Sequence, residues 1–273
     1  MSLLSPESLS LFLAPGELVA VRRRGWRGAI AEKRVWQVTV RPENTWEDAA
    51  QAFAECLRAY PACHKVGVVL SNHFVQYQLL PWRDDLGDRE EERALAQLSF
   101  TQTFGEAASR WHVAVADEAP GMSRVSAAVN AELLAALHKY AAGAGRRIVS
   151  VQPYLTAAIN AFAELFGQDR SAWFVLHEEG RLCLALVTGG QWRWIRCLRV
   201  AADWEARLPE LLDNEALLAG VEAQPGQALI FAPTTPALAV PGGSRWSVRA
   251  LRLAERVNFS PSSEGRFAPA IVG

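Results

Sequence analysis

The order strand, strand, strand, helix, strand occurs twice along this 273-residue chain, starting near Ser8 and again near Ser171. In the first run, SLSLFLA, LVAVRRR after Pro15-Gly16, and KRVWQVTVRP alternate apolar and polar residues, and a period of two predicts three successive strands. Asn44 or Thr45 can cap a helix over TWEDAAQAFAECLRAY, in which Trp46, Ala50, Phe53, Ala54 and Leu57 recur at helical spacing and which Pro61 stops. KVGVVLS then reads as a short, fully buried strand. In the second run, SAWFVLHEE, RLCLALVT and QWRWIRCLRV are joined by tight Glu-Gly and Gly-Gly turns, and a helix over ADWEARLPELLDNEALLAG and a strand in QALIFAP follow. Two copies of one unit predict a duplicated α/β architecture rather than a random mixture of elements.

Between the copies lie a strand in HFVQYQLLPW, a helix from about Arg89 to Phe104 stopped by Gly105, and two strands, WHVAVAD and SRVSAAV, separated by Pro120-Gly121. Asn130 caps a helix over AELLAALHKYAAGAG, and the strand RRIVSVQP and helix YLTAAINAFAELFG close the first half. The expected division is a first half over 1–170 with an inserted subdomain at about 72–128, a second half over 171–259, and a tail at 260–273. The second half is abbreviated: after ALIFAP it holds one more strand, in WSVRALRL, too little for a full second unit. The tail reads as loop.

With 50% hydrophobic residues the chain can bury a large core, and 28 Lys+Arg against 29 Asp+Glu offer no broad attraction to nucleic acid or an anionic membrane. A partner is therefore expected to be a protein or a small molecule. Cys56, Cys63, Cys183 and Cys197 show no CxxC spacing, which suits reduced thiols in a cytoplasm. If Gly189-Gly190 is a two-residue hairpin turn, Thr188 faces Gln191, Cys183 faces Arg196 and Cys197 faces Leu182. That register predicts no disulfide between them. The start MSLLSPESLSLFLAPGE lacks the features of a signal peptide, and no window approaches the roughly 20 apolar residues of a membrane span, so a cytosolic location is expected.

Several constellations have bland explanations. Ser71 and His73 would share one face of a strand, but no third group identifies a catalytic set. Cys63-His64 with Cys56 fits no zinc spacing. The run Asp84, Asp85, Asp88, Glu90, Glu91, Glu92 sits where a helix begins and complements its dipole. Arg22, Arg23, Arg24 and Arg27 with Trp26 form the only basic cluster, at a hairpin tip flanked by Glu17 and Glu32, and nucleic-acid binding is not expected from it.

The duplicated meander with an insertion in its first copy resembles the actin-like fold, two ribonuclease-H-like βββαβ halves flanking a nucleotide cleft. VVLSNHFVQYQLLPW, EEERALAQ, FGEAASRWHV and AGRRIVSVQPYLTAAINAF further resemble the PilM-like, MshI-like and GspL-like proteins of type IV pilus and type II secretion machines. The resemblance covers about Leu9 to Val200. It implies a cytoplasmic scaffold recruited to an inner-membrane platform, binding short cytoplasmic segments of bitopic membrane partners. In the PilM branch the cleft can also hold ATP.

The nucleotide pattern is missing where it matters most. Actin-like ATPases carry an Asp-x-Gly type loop between the first two strands of each half, whose backbone N–H groups bind phosphate. Here the first turn is Leu13-Ala14-Pro15-Gly16-Glu17, in which Pro15 has no N–H and Glu17 repels phosphate; the second is His177-Glu178-Glu179-Gly180-Arg181. Pro233 and Pro236 stand where an adenosine-binding glycine pair would be wanted. No cofactor is expected, although a divergent nucleotide-binding ATPase is the alternative; a sugar-kinase relative would need a cleft Asp, and Asp203 and Asp213 lie on a helix. The expected mechanism is binding. Ten tryptophans exceed the needs of one core, and Trp192 and Trp194 would share a strand face. Phe74, Tyr77, Leu79 and Trp82 of the inserted region are the candidate partner-binding residues.

Overall fold

The computed structural model describes residues 7–25, 28–41, 45–86, 88–167, 170–221, 226–235, 237–254 and 261–273. The first sheet is built from β1 (Glu7–Leu13), β2 (Glu17–Arg24), β3 (Ala29–Gln37), β4 (Lys65–Leu70) and β8 (Arg147–Pro153), in the order β3-β2-β1-β4-β8. The second uses β9 (Ser171–Glu178), β10 (Arg181–Thr188), β11 (Gln191–Arg199), β12 (Gly226–Phe231) and β13 (Trp246–Ala250), in the order β11-β10-β9-β12-β13. In both, the first three strands form an antiparallel meander and the last two run parallel to the first. The two sheets therefore share one topology. A helix follows each meander: α1 (Thr45–Ala59) in the first half and α5 (Trp204–Leu218) in the second. Asn44, the expected cap of α1, lies outside the described residues.

The insertion departs from β4 and forms a three-stranded sheet of order β5-β7-β6 from β5 (Val75–Leu80), β6 (Trp111–Val115) and β7 (Arg124–Asn130). Helix α2 (Arg89–Phe104) covers it, with Leu80, Ala96, Phe100, Ala108, Val113 and Ala128 as a separate small core. Asp88 caps α2 by accepting from the N–H groups of Glu90 and Glu91 at 2.8 and 3.0 Å, which accounts for Asp88 and Glu90–Glu92 as a helix start, while Asp84 and Asp85 are engaged by Trp82 and Arg83 ahead of it. Asn130 caps α3 (Ala131–Gly143) in the same way, accepting from Glu132 N. Helix α4 (Tyr154–Ala161) then leads into the second half.

Four expectations are corrected. First, the second half completes its five-stranded sheet; its abbreviation lies in the connection from β12 to β13, where the described residues hold no counterpart of the insertion and α3. Second, much of the tail is a helix, α6 (Pro261–Ile271), which packs on β1, β2 and β4 of the first sheet. Arg23 donates to its last carbonyl, Ile271 O, at 3.1 Å. Gly265 and Pro269 hide this helix from a propensity reading, because its stability comes from docking. Third, a β-bulge at Leu186/Val187 adds Arg193 to β11, so Val187 pairs with Trp192 but Leu186 with Trp194. The Gly189-Gly190 turn is as expected, with both glycines at positive φ, yet beyond the bulge every pair shifts by one residue and Cys183 pairs with Cys197. The two form a disulfide, Cα atoms 4.1 Å apart. Fourth, the same shift sends Trp192 and Trp194 to opposite faces, one onto the main core and one toward α5.

The core explains the relative placement of the halves. One face of the second sheet, with Phe174, Leu176, Cys183 and Phe231, is continuous with the first-half core through α4 and α6. The other face packs under α5, where Trp194 Nε1 and Arg196 converge on the buried carboxylate of Glu215 at 2.8 and 3.1 Å. β3 starts earlier and ends earlier than its apolar pattern suggests, because it is an exposed edge strand registered by pairing to β2 rather than by burial.

Candidate functional site

The β1–β2 and β9–β10 turns, equivalent by topology, face each other across a cleft of about 470 Å³. Ala14, Pro15, Gly16 and Glu17 line one side, and His177, Glu178 and Glu179 the other. Tyr154 at the start of α4, Arg266 on α6, and Pro233-Thr234 after β12 complete the walls. Three carboxylates thus meet one arginine. Burial pushes Glu17 above the usual carboxylate range, against the pull of Arg266, and Glu179 adds to the upward shift. Gly265 lets α6 approach closely: a Cβ there would lie 2.8 Å from the Pro233 carbonyl oxygen.

The deepest carboxylate ties the halves together. Glu178 accepts hydrogen bonds from Ser71 Oγ and from Asn72 N, the latter at 3.0 Å, across the boundary between β9 and the turn after β4. Burial raises its pKa, and the hydrogen bonds from Ser71 Oγ and Asn72 N act in the opposite direction. Arg181 Nε donates to His73 Nδ1 at 3.3 Å, which leaves the ring proton on Nε2 to donate to Glu179 O at 2.9 Å. Asn72 Oδ1 also accepts from Tyr77 Oη at 2.7 Å. Ser71 and His73 are therefore in a turn, not on a strand face, and the third group joined to them is a structural Glu178 from the other half. Sequence reasoning saw Glu178 only as one residue of a turn that lacks the nucleotide-binding pattern. The signal that could have found it is the symmetry of the duplication, which brings the turn after β4 beside the turn after β9.

A second depression, of about 190 Å³, opens between the inserted sheet and the α1/α3 pair. Trp46, Phe74 and Trp111 supply its aromatic lining, with Gln76, Asn130 and Leu133 between them. All three rings are half-buried. Phe104 at 5.4 Å and Phe100 at 6.3 Å hold the Trp111 ring.

No family model and no curated protein matches the sequence. Among solved structures, the chain is similar to one described as the PilM-PilN type IV pilus biogenesis complex, with 15% identity, 97% of this chain and 96% of that one covered, and a TM-score of 0.66. The fold is actin-like. The cytoplasmic domain of EpsL, an inner-membrane component of the Vibrio cholerae type II secretion system, is similar at 14% identity, with 98% and 95% covered and a TM-score of 0.59. A Bacteroides thetaiotaomicron protein with an actin-like ATPase fold and unknown function gives 10% identity, 83% and 82% covered, and a TM-score of 0.60.

Within this actin-like frame the candidate partner residues do not form one exposed face. Tyr77 is buried with its hydroxyl on Asn72, and Leu79 packs against the main core. Trp82 lies at the outer edge of the insertion, its ring beneath the Arg124 guanidinium at 4.8 Å and its Nε1 on Asp84. Phe74 alone of the four reaches the aromatic groove, where it meets Trp46 and Trp111, which sequence reasoning did not single out. The basic cluster is spent internally: Arg22 pairs with Glu7 and Glu32, Arg24 with Glu7, and Arg23 caps α6; Trp26 and Arg27 lie outside the described residues. Cys56 and Cys63 are buried free thiols, and burial pushes Cys56 up to about 12. Among the described residues no helix is long and apolar enough to cross a membrane, and no three His, Cys, Asp or Glu side chains group as metal ligands.

Proposed function

We propose that this chain is a non-catalytic scaffold of a type IV pilus or type II secretion-like inner-membrane platform, and that it binds a short cytoplasmic segment of a bitopic membrane partner. The observation carrying this reading is the aromatic groove between the insertion and α1/α3. Half-buried, pre-positioned aromatic rings beside amide groups suit a peptide that inserts apolar side chains and leaves its backbone to Gln76 and Asn130. The likeness to the PilM-PilN complex and to EpsL over nearly the whole chain supports the setting. The reading places the protein in the cytoplasm, held at the membrane through its partner.

The reading also excludes nucleotide turnover. In its support, Pro15 offers no N–H to a phosphate, and Glu17, Glu178 and Glu179 face the space a triphosphate would fill. The test is fluorescence polarisation with labelled peptides from the cytoplasmic ends of bitopic proteins encoded beside this chain. Trp111→Ala and Trp46→Ala are expected to weaken binding by about tenfold or more, the loss typical of a buried aromatic anchor. Unchanged affinity in both variants, or release of phosphate from Mg-ATP by the wild type, would overturn the reading.

A further inference from the structure

The sulfur pair of the second sheet has no part in the platform reading, yet its two ends differ chemically. Cys183 and Cys197 stand directly opposite on antiparallel β10 and β11 and are bonded. Cys183 is fully buried, whereas Cys197 lies on β11, an edge strand of its sheet, and keeps part of its surface in solvent. A thiolate that opens a disulfide must reach one sulfur from solvent, so access selects Cys197 as the sulfur attacked and Cys183 as the one displaced.

Charge near the pair points the same way. Side chains alternate along a strand, so Arg199 and its register partner Arg181 stand two residues along from the disulfide on the same sheet face. Arg181 is half-buried, with Glu178 opposite it on β9 and His73 accepting from its Nε. Arg199 is exposed, its charge is felt by Arg181, and no hydrogen bond or ion pair from a described residue engages it. Arg196, adjacent in sequence, turns to the other face and Glu215. The open charge beside Cys197 is therefore positive, which favours a thiolate over a thiol and draws an anionic reagent more than a neutral one.

We propose that Cys197 is a thiol-exchange site for a small anionic thiol of the glutathione class, and that the Cys183–Cys197 bond opens and closes in the folded protein. The reagent's thiolate attacks Cys197 Sγ, the bond to Cys183 breaks, and Cys183 leaves as a thiolate that takes up a proton. Cys197 then carries a mixed disulfide with the reagent. A second thiolate attacks the reagent's sulfur in that adduct, the reagent departs as its own disulfide, and Cys197 is left as a thiolate that is protonated in turn. Two electrons thus pass from two thiols to the protein pair, and the same steps in reverse, with the oxidised reagent, close the bond. Exchange alters the coupling between the parts of the molecule, because β11 packs against β5 of the insertion and is held in its own sheet by β10 alone. In a reducing cytoplasm, where the platform reading places the chain, a pair open to exchange is the regulatory rather than the permanent kind.

The test treats the native full chain with millimolar reduced glutathione, quenches with acid and maps the thiols by mass spectrometry. Opening of the bond without denaturant is expected, with a melting temperature several degrees below that of the oxidised chain. Arg199→Gln is expected to slow opening by glutathione a few-fold at low salt while leaving opening by uncharged mercaptoethanol unchanged. In Cys183→Ser, oxidised glutathione is expected to leave a stable adduct on Cys197; in Cys197→Ser, the buried Cys183 stays unlabelled. A bond that glutathione opens only in urea overturns the proposal, as does labelling of Cys183 in Cys197→Ser or an Arg199→Gln rate with glutathione equal to that of the wild type. The wild-type and Arg199→Gln rates keep both cysteines in place, so they decide the matter even where a cysteine variant does not fold. None of these readouts involves the peptide groove, and their failure leaves the platform reading standing.

Discussion

Glu178 is a carboxylate of one half satisfied by the hydroxyl and backbone of the other, and its removal strands both donors. Glu178→Ala is expected to cost about 1–3 kcal/mol in urea unfolding, the price of leaving Asn72 N and Ser71 Oγ unpaired. The pH dependence has a definite sign. Burial raises Glu178 in the folded chain above its ordinary 4.5, so in the window above 4.5 the folded state holds more proton than the unfolded one. Stability relative to Glu178→Gln therefore falls as pH rises from 4.5 through the raised value, and is level below and above; urea midpoints across that range check it. The thiols give a simpler count. Denatured without reductant, the protein is expected to alkylate at Cys56 and Cys63 alone, and with reductant at four positions. Four labels in both conditions would remove the Cys183–Cys197 bond.

At the scale of elements, two pieces carry the departures from simple pattern. In β11 a single extra residue, Arg193, reverses which face each later side chain occupies, because the side-chain period of a strand is two. Helix α6 opposes two effects at Gly265. By helix propensity, alanine there would stabilise by roughly 1 kcal/mol. The added Cβ, however, would sit 2.8 Å from the Pro233 carbonyl oxygen, a backbone atom that cannot swing aside. Overpacking of that kind costs about 1–3 kcal/mol, so Gly265→Ala is expected to lower the melting temperature rather than raise it.

For the whole molecule, two sheets of one topology share a continuous core through α4 and α6, and the cleft and the groove open at the boundaries between these parts. The peptide prediction belongs to this scale, since its groove is assembled from distant segments. The strands and most helices were legible in the sequence because each buries one face, and burial writes a period of two or 3.6 into the residues. The duplication and the carboxylate-bearing turns were legible for the same local reason. The register beyond Leu186, the helix at Pro261–Ile271 and the partner of Glu178 were not. A bulge leaves no mark in composition, a helix interrupted by Gly265 and Pro269 exists only where a sheet receives it, and Ser71 and Glu178 stand 107 residues apart. Sequence alone determined which segments become strands and helices, and that both cleft turns carry acid. Tertiary packing decided which segments meet, and so which carboxylate is satisfied, which stays open, and which aromatic rings line a groove, because contacts between distant residues follow from the closing of the core rather than from local periodicity.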